Sequence, residues 1–202
     1  MSVPGEGAVA PAATDRGRRR REAVLDAAAE LFVARGFHGA SIDEVGAAAG
    51  ISGPGVYRHV RSKDELLMAV LDRLWVHGFR PAVERAAQLP PREALAHLVA
   101  AHVELAVVRP EGLVLLIREL RHLPADYREA SWRQIARYTE AWVAPMRVLR
   151  PGADSDELRA AAVAVHGLID SAARFPDLAP AAVRGPLLRD LAAAALDRYL
   201  AA

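Results

Sequence analysis

Cysteine is absent from the 202 residues, and aromatic side chains make up only 5% of them. Without a thiol, the chain has no disulfide, no thiolate metal site and no cysteine nucleophile, which fits a reducing cytoplasm. No run of about 18 uninterrupted apolar residues occurs, so we expect no transmembrane helix. The basic run at residues 16–21 follows the weakly apolar start instead of preceding it, which is not the order of a secretory signal. We therefore expect a cytoplasmic protein that does not contact a membrane.

A strong excess of charge is also missing, because 26 basic and 25 acidic residues leave a formal net charge of +1. Since nucleic-acid binders are often strongly basic, any binding of DNA must depend on local placement of charge. Residues 16–21 form the one dense basic run, interrupted only by Gly17. The run is either an arm, including Arg18 and Arg19, that follows a DNA backbone or enters a minor groove, or a solvated tail. We favour the arm.

Hydrophobic residues are abundant, at 52% of the chain, and they recur at steps of three and four. This period predicts helices, and no useful strand alternation appears. We expect a disordered tail over residues 1–17, a small helical domain over 18–63 and a larger helical domain over 64–202. Prolines divide the larger domain into helices that we place near 92–108, 112–122, 125–150, 155–174 and 180–201.

Two serine-x-x-glutamate segments in the smaller domain, starting at Ser41 and Ser62, are typical of capping boxes that begin helices. Between them, Gly50 interrupts the first helix, and Ser52 caps a second short helix that we extend to Val60. A supporting helix precedes both and ends at a glycine. This is the layout of a helix-turn-helix unit, although a generic three-helix bundle with a tight turn has the same spacing.

The segment over residues 27–67 resembles the head of the TetR family of transcriptional regulators. The matching positions are Gly36-Phe37, Ser41, Gly50-Ile51-Ser52, Tyr57-Arg58-His59 and Ser62-Lys63-Asp64-Glu65-Leu66. The resemblance implies an all-α protein, with an N-terminal three-helix helix-turn-helix head joined to a larger helical body that binds a ligand and dimerises. It further implies a ligand-responsive repressor that binds a palindromic operator in double-stranded DNA as a homodimer.

The resemblance also implies which side chains of the head meet DNA. Hydroxyl, imidazole and ammonium groups would contact phosphates, although the serines could act only as caps and the tyrosine could belong to the core. Arg58 could pair with a guanine or bind a phosphate. The chain departs from the family at Gly53 and Gly55, which would let the backbone approach a groove. The predicted DNA-binding residues are Arg18, Arg19, Ser41, Ser52, Gly53, Gly55, Tyr57, Arg58, His59 and Lys63.

In the body, isolated polar groups interrupt apolar stripes, which suits a pocket for a small apolar or amphipathic effector, for instance an acyl compound. The predicted pocket residues are His102, Ile117, Arg118, Arg121, Tyr138 and Trp142. The same pattern also fits a core whose polar groups are satisfied.

The last two helices carry wide apolar faces. By resemblance we assign these faces to a homodimer, although they could simply cover the core of one chain. The predicted contacts are Leu158, Ala162, Val165, Ile169, Leu187, Leu191 and Ala195. We also expect the effector to shift the helix after Ser62, which links head to body, and so to change the spacing of two paired heads.

A helical-bundle metalloenzyme is the alternative class of function, because Glu119-x-x-His122 matches one half of a carboxylate-bridged metal site. A second copy of this motif is missing from the sequence, and no catalytic serine elbow or phosphate-binding glycine loop occurs. We therefore expect no enzymatic activity, no catalytic or metal-binding residue and no cofactor. An interaction module without DNA binding is a further alternative.

Overall fold

Helices form the regular structure of residues 15–176 and 179–201, which are the part of the chain that the computed structural model describes. No strand occurs within these residues, so the predicted all-α class is confirmed. The helices are α1 (Asp15–Arg35), α2 (Ile42–Ala48), α3 (Gly53–Val56), α4 (Lys63–Leu74), α5 (Arg80–Ala86), α6 (Pro91–Val108), α7 (Pro110–Glu119), α8 (Ala125–Leu149), α9 (Ser155–Arg174) and α10 (Ala181–Leu200).

The first helix begins earlier than the sequence pattern predicts. Because α1 starts at Asp15, residues 15–17 are helical, and the basic run at 16–21 lies inside the first turns instead of preceding the helix. The predicted separate arm is therefore wrong. Asp15 explains the early start, because an acidic side chain in the first turn is favoured by the helix dipole. The remainder of the predicted tail, residues 1–14, lies outside the described residues.

Caps and glycines set the short helices of the head. The Ser41 hydroxyl accepts a hydrogen bond from the Glu44 amide, and the Glu44 carboxylate accepts one from the Ser41 amide, which confirms the predicted capping box. Gly36 and Gly50 have φ angles of +76° and +68°. Other L-residues rarely adopt this left-handed conformation, so these two glycines end α1 and α2 where the pattern predicts.

Two predictions on the following segment need correction. The helix that Ser52 caps, α3, has a single turn, and only turn-type backbone hydrogen bonds continue it to Val60. At Ser62 the hydroxyl accepts from the Glu65 amide, as a cap should. The Glu65 carboxylate, however, accepts from the amide of Arg61, so the second capping box forms with its partner shifted by one residue.

The helix that leaves the head continues without a break through a π-helical turn, Trp75–Phe79, into α5. The Arg80 amide donates to the carbonyl of Trp75, five residues back. Pro81 explains the widened turn, because proline has no N–H to donate to the residue four before it. The sequence left open whether this stretch forms a loop or continues the helix, and the structure has it as helix.

The five predicted helices of the body are present, with the second completed by a 3₁₀ turn, Leu120–His122. Pro91 and Pro110 stand at the first positions of α6 and α7, where an amide would have no partner in the helix. Helix α6 occupies the centre of the body and packs against α5, α8, α9 and α10. The head rests on α7, which contacts both α1 and α4.

Candidate DNA-binding surface and effector cavity

The apolar core of the head holds α3 in place. Val24 of α1, Val45 of α2 and Val56 of α3 are completely buried, and they meet between the three helices. The Phe32 and Phe37 rings pack edge to face at 5.3 Å and close one side of this core. The packing leaves one face of α3 and the turn after it towards solvent.

That open face carries Ser52, Pro54, Tyr57 and Arg58, all of them exposed. Tyr57 is 53% exposed, so its ring is not part of the core. His59 is half-buried, and its pKa is lowered by burial and by the nearby arginines Arg21, Arg20 and Arg58. Near neutral pH the His59 imidazole is therefore uncharged and keeps one donor and one acceptor for a hydrogen bond.

The two glycines of α3 have packing roles within the head. Gly53 is buried, and a side chain there would collide with the Asp43 carboxylate, 1.8 Å from the position of a Cβ. A Cβ at Gly55 would lie 3.3 Å from the Ser52 hydroxyl oxygen. Gly53 therefore packs against α2 and Gly55 against the N-cap of its own helix, and their approach to a groove of DNA stays a prediction.

Ser41 and Lys63 already have partners within the head. The Ser41 hydroxyl donates to the Glu44 carboxylate at 2.9 Å, and this carboxylate would repel a phosphate. Lys63 lies over the Phe37 ring, with Nζ 4.8 Å from its centroid and 3.4 Å from the His38 carbonyl oxygen. The structure thus places both residues beside the α1–α2 connection and apart from the open face of α3.

The basic run meets the head at one specific point. Arg18 and Arg19 are exposed on α1, and Arg18 pairs with Asp15. Arg21 donates a hydrogen bond from Nη1 to the backbone carbonyl of His59 at 2.8 Å. It therefore ties the first helix to the end of the turn that follows α3, a contact that sequence spacing does not reveal.

A wide groove of about 1140 Å³ runs between the head and the body, but its charges largely neutralise one another. Arg73 binds Asp26 at 2.6 Å and Glu22 at 3.2 Å. These pairs hold α4 against α1. Charged side chains make up about half of the groove lining, whereas the smaller cavity in the body has a mostly apolar lining, which makes that cavity the better candidate for an apolar ligand.

That cavity has a volume of about 320 Å³ and lies among α6, α7, α8, α9 and the π-helical turn. Its walls are mostly aromatic and aliphatic, and a cleft of about 370 Å³ adjoins it across Trp75, Phe79 and Tyr138. The lining consists of Trp75, Phe79, His102, Leu113, Leu116, Ile117, Leu120, Arg121, Trp132, Ile135, Tyr138, His166 and Asp170.

A connected set of polar groups lies in one wall of this cavity. His102 Nε2 lies 3.0 Å from Asp170 Oδ1, and the Tyr138 hydroxyl lies 3.2 Å from His102 Nδ1. Both contacts are satisfied when Nε2–H donates to the carboxylate and Nδ1 accepts from the tyrosine. The His166 ring lies 5.2 Å from the His102 ring. Burial, with a smaller contribution from His102, lowers the pKa of His166 to about 3, so it is neutral at physiological pH.

The structure brings together four of the six predicted pocket residues, namely His102, Ile117, Arg121 and Tyr138. Trp142 stands behind the wall, fully buried, with its ring 4.8 Å from that of His166. Arg118 lines a separate cleft between α7 and the α1–α2 connection, so its assignment to the pocket is wrong. Residue 118 points away because it is next to Ile117 on a helix, about 100° further round.

Among the cavity residues that sequence reasoning missed are Trp75, Phe79, His166 and Asp170. A signal existed for the last two, because they are one helical turn apart and flank the apolar stripe of α9. Trp75 and Phe79 belong to the π-helical turn, where the helix departs from the α-helical repeat. The apolar periodicity of the sequence therefore does not show which way these two side chains point.

The predicted dimer contacts on α9 are wrong. Leu158, Ala162, Val165 and Ile169 are buried in the core of their own chain, because this face of α9 packs on α6 and α8. The opposite face of α9 is exposed and small or apolar, at Ala160, Val163, Ala164 and Gly167. On α10 the predicted Leu187, Leu191 and Ala195 are exposed, and Leu187 is 53% exposed.

Neither a metal site nor a membrane span is found in residues 15–176 and 179–201. No group of three or more His, Asp or Glu side chains is placed to hold an ion there, so Glu119 and His122 lack further ligands. None of the described helices combines the length and apolarity that crossing a bilayer requires.

Comparison with known proteins gives a consistent result. The family model described as bacterial regulatory proteins, tetR family, matches residues 24–70. The transcriptional repressor KstR2 of Rhodococcus jostii is 31% identical over 145 residues, which cover 69% of this chain and 68% of KstR2. The transcriptional activator FasR of Mycolicibacterium smegmatis is 52% identical over 54 residues, which cover 27% of this chain and only 25% of FasR.

Solved structures share the fold over most of the chain. The TetR family regulator PfmR of Thermus thermophilus superposes with a TM-score of 0.73 at 24% identity, covering 86% of this chain and 97% of PfmR. AibR, solved in complex with isovaleryl coenzyme A and operator DNA, superposes with a TM-score of 0.69 at 19% identity. This match covers 85% of this chain and 97% of AibR.

Proposed function

The chain belongs to the TetR family of bacterial transcriptional regulators, and we propose that it is a homodimeric repressor which an amphipathic acyl effector releases from a palindromic operator. The observation that carries the proposal is one continuous helix. It begins at Lys63 in the head, and its π-helical turn supplies Trp75 and Phe79 to the wall of the cavity. One element thus touches both the predicted DNA-binding unit and the predicted effector site.

Contact with DNA is assigned to the open face of α3 and the turn after it. Ser52 and Pro54 lie at the start of α3, and Tyr57 and Arg58 lie just beyond its end, all of them exposed. Arg58 supplies charge for a phosphate or a guanine, and Tyr57 supplies a hydroxyl and an aromatic face. Arg18 and Arg19, exposed on α1, would add contacts to the DNA backbone from within a helix.

The effector is assigned to the 320 Å³ cavity. Its lining is mostly apolar with a few polar groups on one wall, and Arg121 stands exposed at its rim. An acyl chain suits the apolar walls, while an anionic end can remain outside near the guanidinium. The complex of AibR with isovaleryl coenzyme A provides a precedent for an acyl thioester in this fold.

Repression is supported by the relative that the chain matches over two thirds of its length, KstR2, which is named a repressor. The proposed dimer uses the exposed faces of α9 and α10. It would place two heads on one side of the assembly, so that two α3 segments could read half-sites about 34 Å apart. A ligand that wedges against Trp75 would tilt the linking helix and change this spacing.

The test is binding of a fluorescent DNA duplex from the region flanking the coding sequence, followed by anisotropy. We expect Arg58→Ala to weaken binding at least about tenfold and to lower the salt slope by about one, because one cationic contact is lost. Arg133→Ala is the matched control, since Arg133 is an exposed arginine on α8 that pairs with Glu129. Equal affinity of wild type and Arg58→Ala would refute the assigned DNA surface.

Release from the operator by an acyl effector is tested with isovaleryl and octanoyl coenzyme A, and free coenzyme A is the control. We expect the thioesters to lower operator affinity at least about tenfold and free coenzyme A to have no effect. By linkage, operator DNA must weaken thioester binding by the same factor. Thioester affinity that is independent of DNA would reject release as the mechanism.

A further inference from the structure

Two nitrogen atoms in the cavity wall are buried without a hydrogen-bond partner among the described residues. They are the indole Nε1 of Trp75 and the imidazole Nε2 of His166. Both side chains line the 320 Å³ cavity. A buried N–H without a partner is costly, so such groups in a pocket indicate where a ligand supplies the missing acceptor.

The other polar groups in this wall already satisfy one another. Asp170 holds His102 through Nε2, and Tyr138 occupies the remaining nitrogen of the same ring. The tautomer of His102 is therefore set by its neighbours, and this ring has no donor left for a ligand. Recognition in this wall thus falls to Trp75 and His166.

The electrostatics of the wall disfavour an anion. Asp170 contributes a carboxylate to the lining, and Trp75 carries no charge. His166 is neutral near pH 7, because burial lowers its pKa to about 3. The one guanidinium in the lining, Arg121, is exposed at the rim, and its Nε donates to His122 at 3.0 Å. A negative group therefore finds a partner at the rim and repulsion inside.

We propose that the cavity recognises an uncharged carbonyl oxygen, of a ketone, ester or thioester, which accepts a hydrogen bond from Trp75 Nε1 and from His166. A free carboxylate is excluded from that position by Asp170. The regulatory consequence rests on the proposed function, because Trp75 starts the π-helical turn of the helix that reaches the head. Ligand binding to the free protein can be measured without DNA, so it is tested separately from that consequence.

The experiment compares three probes of nearly equal shape, namely cumene, acetophenone and benzoate, by calorimetry on the full chain. Cumene has no oxygen, acetophenone has a neutral carbonyl group, and benzoate has an anionic carboxylate. We expect Trp75→Phe to weaken acetophenone about tenfold relative to cumene, because the carbonyl loses its donor while the apolar contact remains. Cumene binding also reports whether the variant has folded.

Trp142→Phe is the matched control. Its indole is likewise fully buried, but Trp142 does not line the cavity. We expect this variant to leave the ratio of acetophenone to cumene affinity unchanged. His166→Phe, as a second variant, should lower the ratio in the same direction as Trp75→Phe.

Asp170→Asn tests the exclusion of anions. The amide oxygen can still accept from His102 while the charge is removed, so benzoate should gain roughly tenfold relative to acetophenone. An unchanged ratio in Trp75→Phe and His166→Phe, or benzoate binding wild type better than acetophenone, would overturn the proposal. If the ratios shift as expected and no effector releases operator DNA, the recognition site stands and the proposed regulatory function fails.

Discussion

Arg21 reaches from the first helix to the backbone carbonyl of His59, with 2.8 Å between Nη1 and the oxygen. The two residues are 38 positions apart, and the contact fixes α1 against the end of the turn that carries Tyr57 and Arg58. Arg21 is therefore a positioning residue for the proposed DNA surface.

Arg21→Ala should weaken operator binding about tenfold while the salt slope stays unchanged, because the variant misplaces other groups instead of removing a phosphate contact. Arg19→Ala, on an exposed part of the same helix, should lower the slope by about one with a smaller loss of affinity. Both are measured by anisotropy between roughly 50 and 200 mM salt. A reduced slope in Arg21→Ala would identify it as a phosphate contact and refute the positioning role.

Gly46 permits the close approach of α2 to the segment that begins α3. A Cβ at this position would stand 2.9 Å from the amide nitrogen of Gly53 and from the carbonyl carbon of Ser52. Because backbone atoms cannot move aside cheaply, Gly46→Ala should lower the free energy of unfolding by about 1–3 kcal/mol. Gly152→Ala, where no atom lies within 4 Å of the new Cβ, should have little effect in the same urea titration.

Leu187 and Leu191 lie on the exposed face of α10 that we assign to the dimer. Replacing both with aspartate places two charges in the proposed interface and should convert the protein to a monomer, which light scattering measures directly. The monomer should also lose operator affinity by more than about tenfold, because two linked heads bind cooperatively. Val148→Asp, on an exposed part of α8, is the control. A double variant that remains dimeric would place the interface elsewhere.

His166 makes the stability of the fold depend on pH. Burial, with a smaller contribution from His102, holds its pKa near 3, whereas an unfolded histidine titrates near 6.5. The unfolded chain therefore binds this proton more tightly, and stability falls as the pH drops below about 6.5. Between pH 7.5 and 5.5 the loss from this residue is about 1.4 kcal/mol.

Urea unfolding at the two pH values measures this difference. Between pH 7.5 and 5.5 the free energy of unfolding of His166→Phe should fall by about 1.4 kcal/mol less than that of wild type. The exposed His77 serves as the control, since His77→Phe should retain the dependence of wild type. A pH dependence that is the same in His166→Phe as in wild type would show that this histidine is not held neutral.

Local chemistry explains why the head could be predicted so closely. Serine caps, a glutamate three residues on and glycines with positive φ act within one or two turns, so their effect is visible in the sequence. The same holds for prolines such as Pro91 and Pro110, whose missing N–H marks the starts of helices. The Ser41 capping box and the five body helices, which rested on these signals, are confirmed, whereas the Ser62 capping box and the length of α3 needed correction.

The errors concern the direction in which residues point. Helix α9 has apolar residues on two faces, and its own period cannot tell which face meets α6 and which is left outside. The buried position of Gly53 depends on Asp43, ten residues earlier, and the π-helical turn changes the register just where it enters the cavity. The first two outcomes were set by a neighbour outside the local helix, and the third by Pro81 within it.

Element order and the helix-turn-helix layout follow from the sequence, because hydrogen bonds and steric limits act between near neighbours, and the family follows from the resemblance of residues 27–67. The cavity, the His102–Asp170 pair and the link from Arg21 to His59 exist only after folding, since they join residues 38 and 68 positions apart. Contacts over such distances along the chain arise when whole helices pack together. Helical periodicity shows which face of a helix is apolar, but it does not show which distant side chain that face will contact.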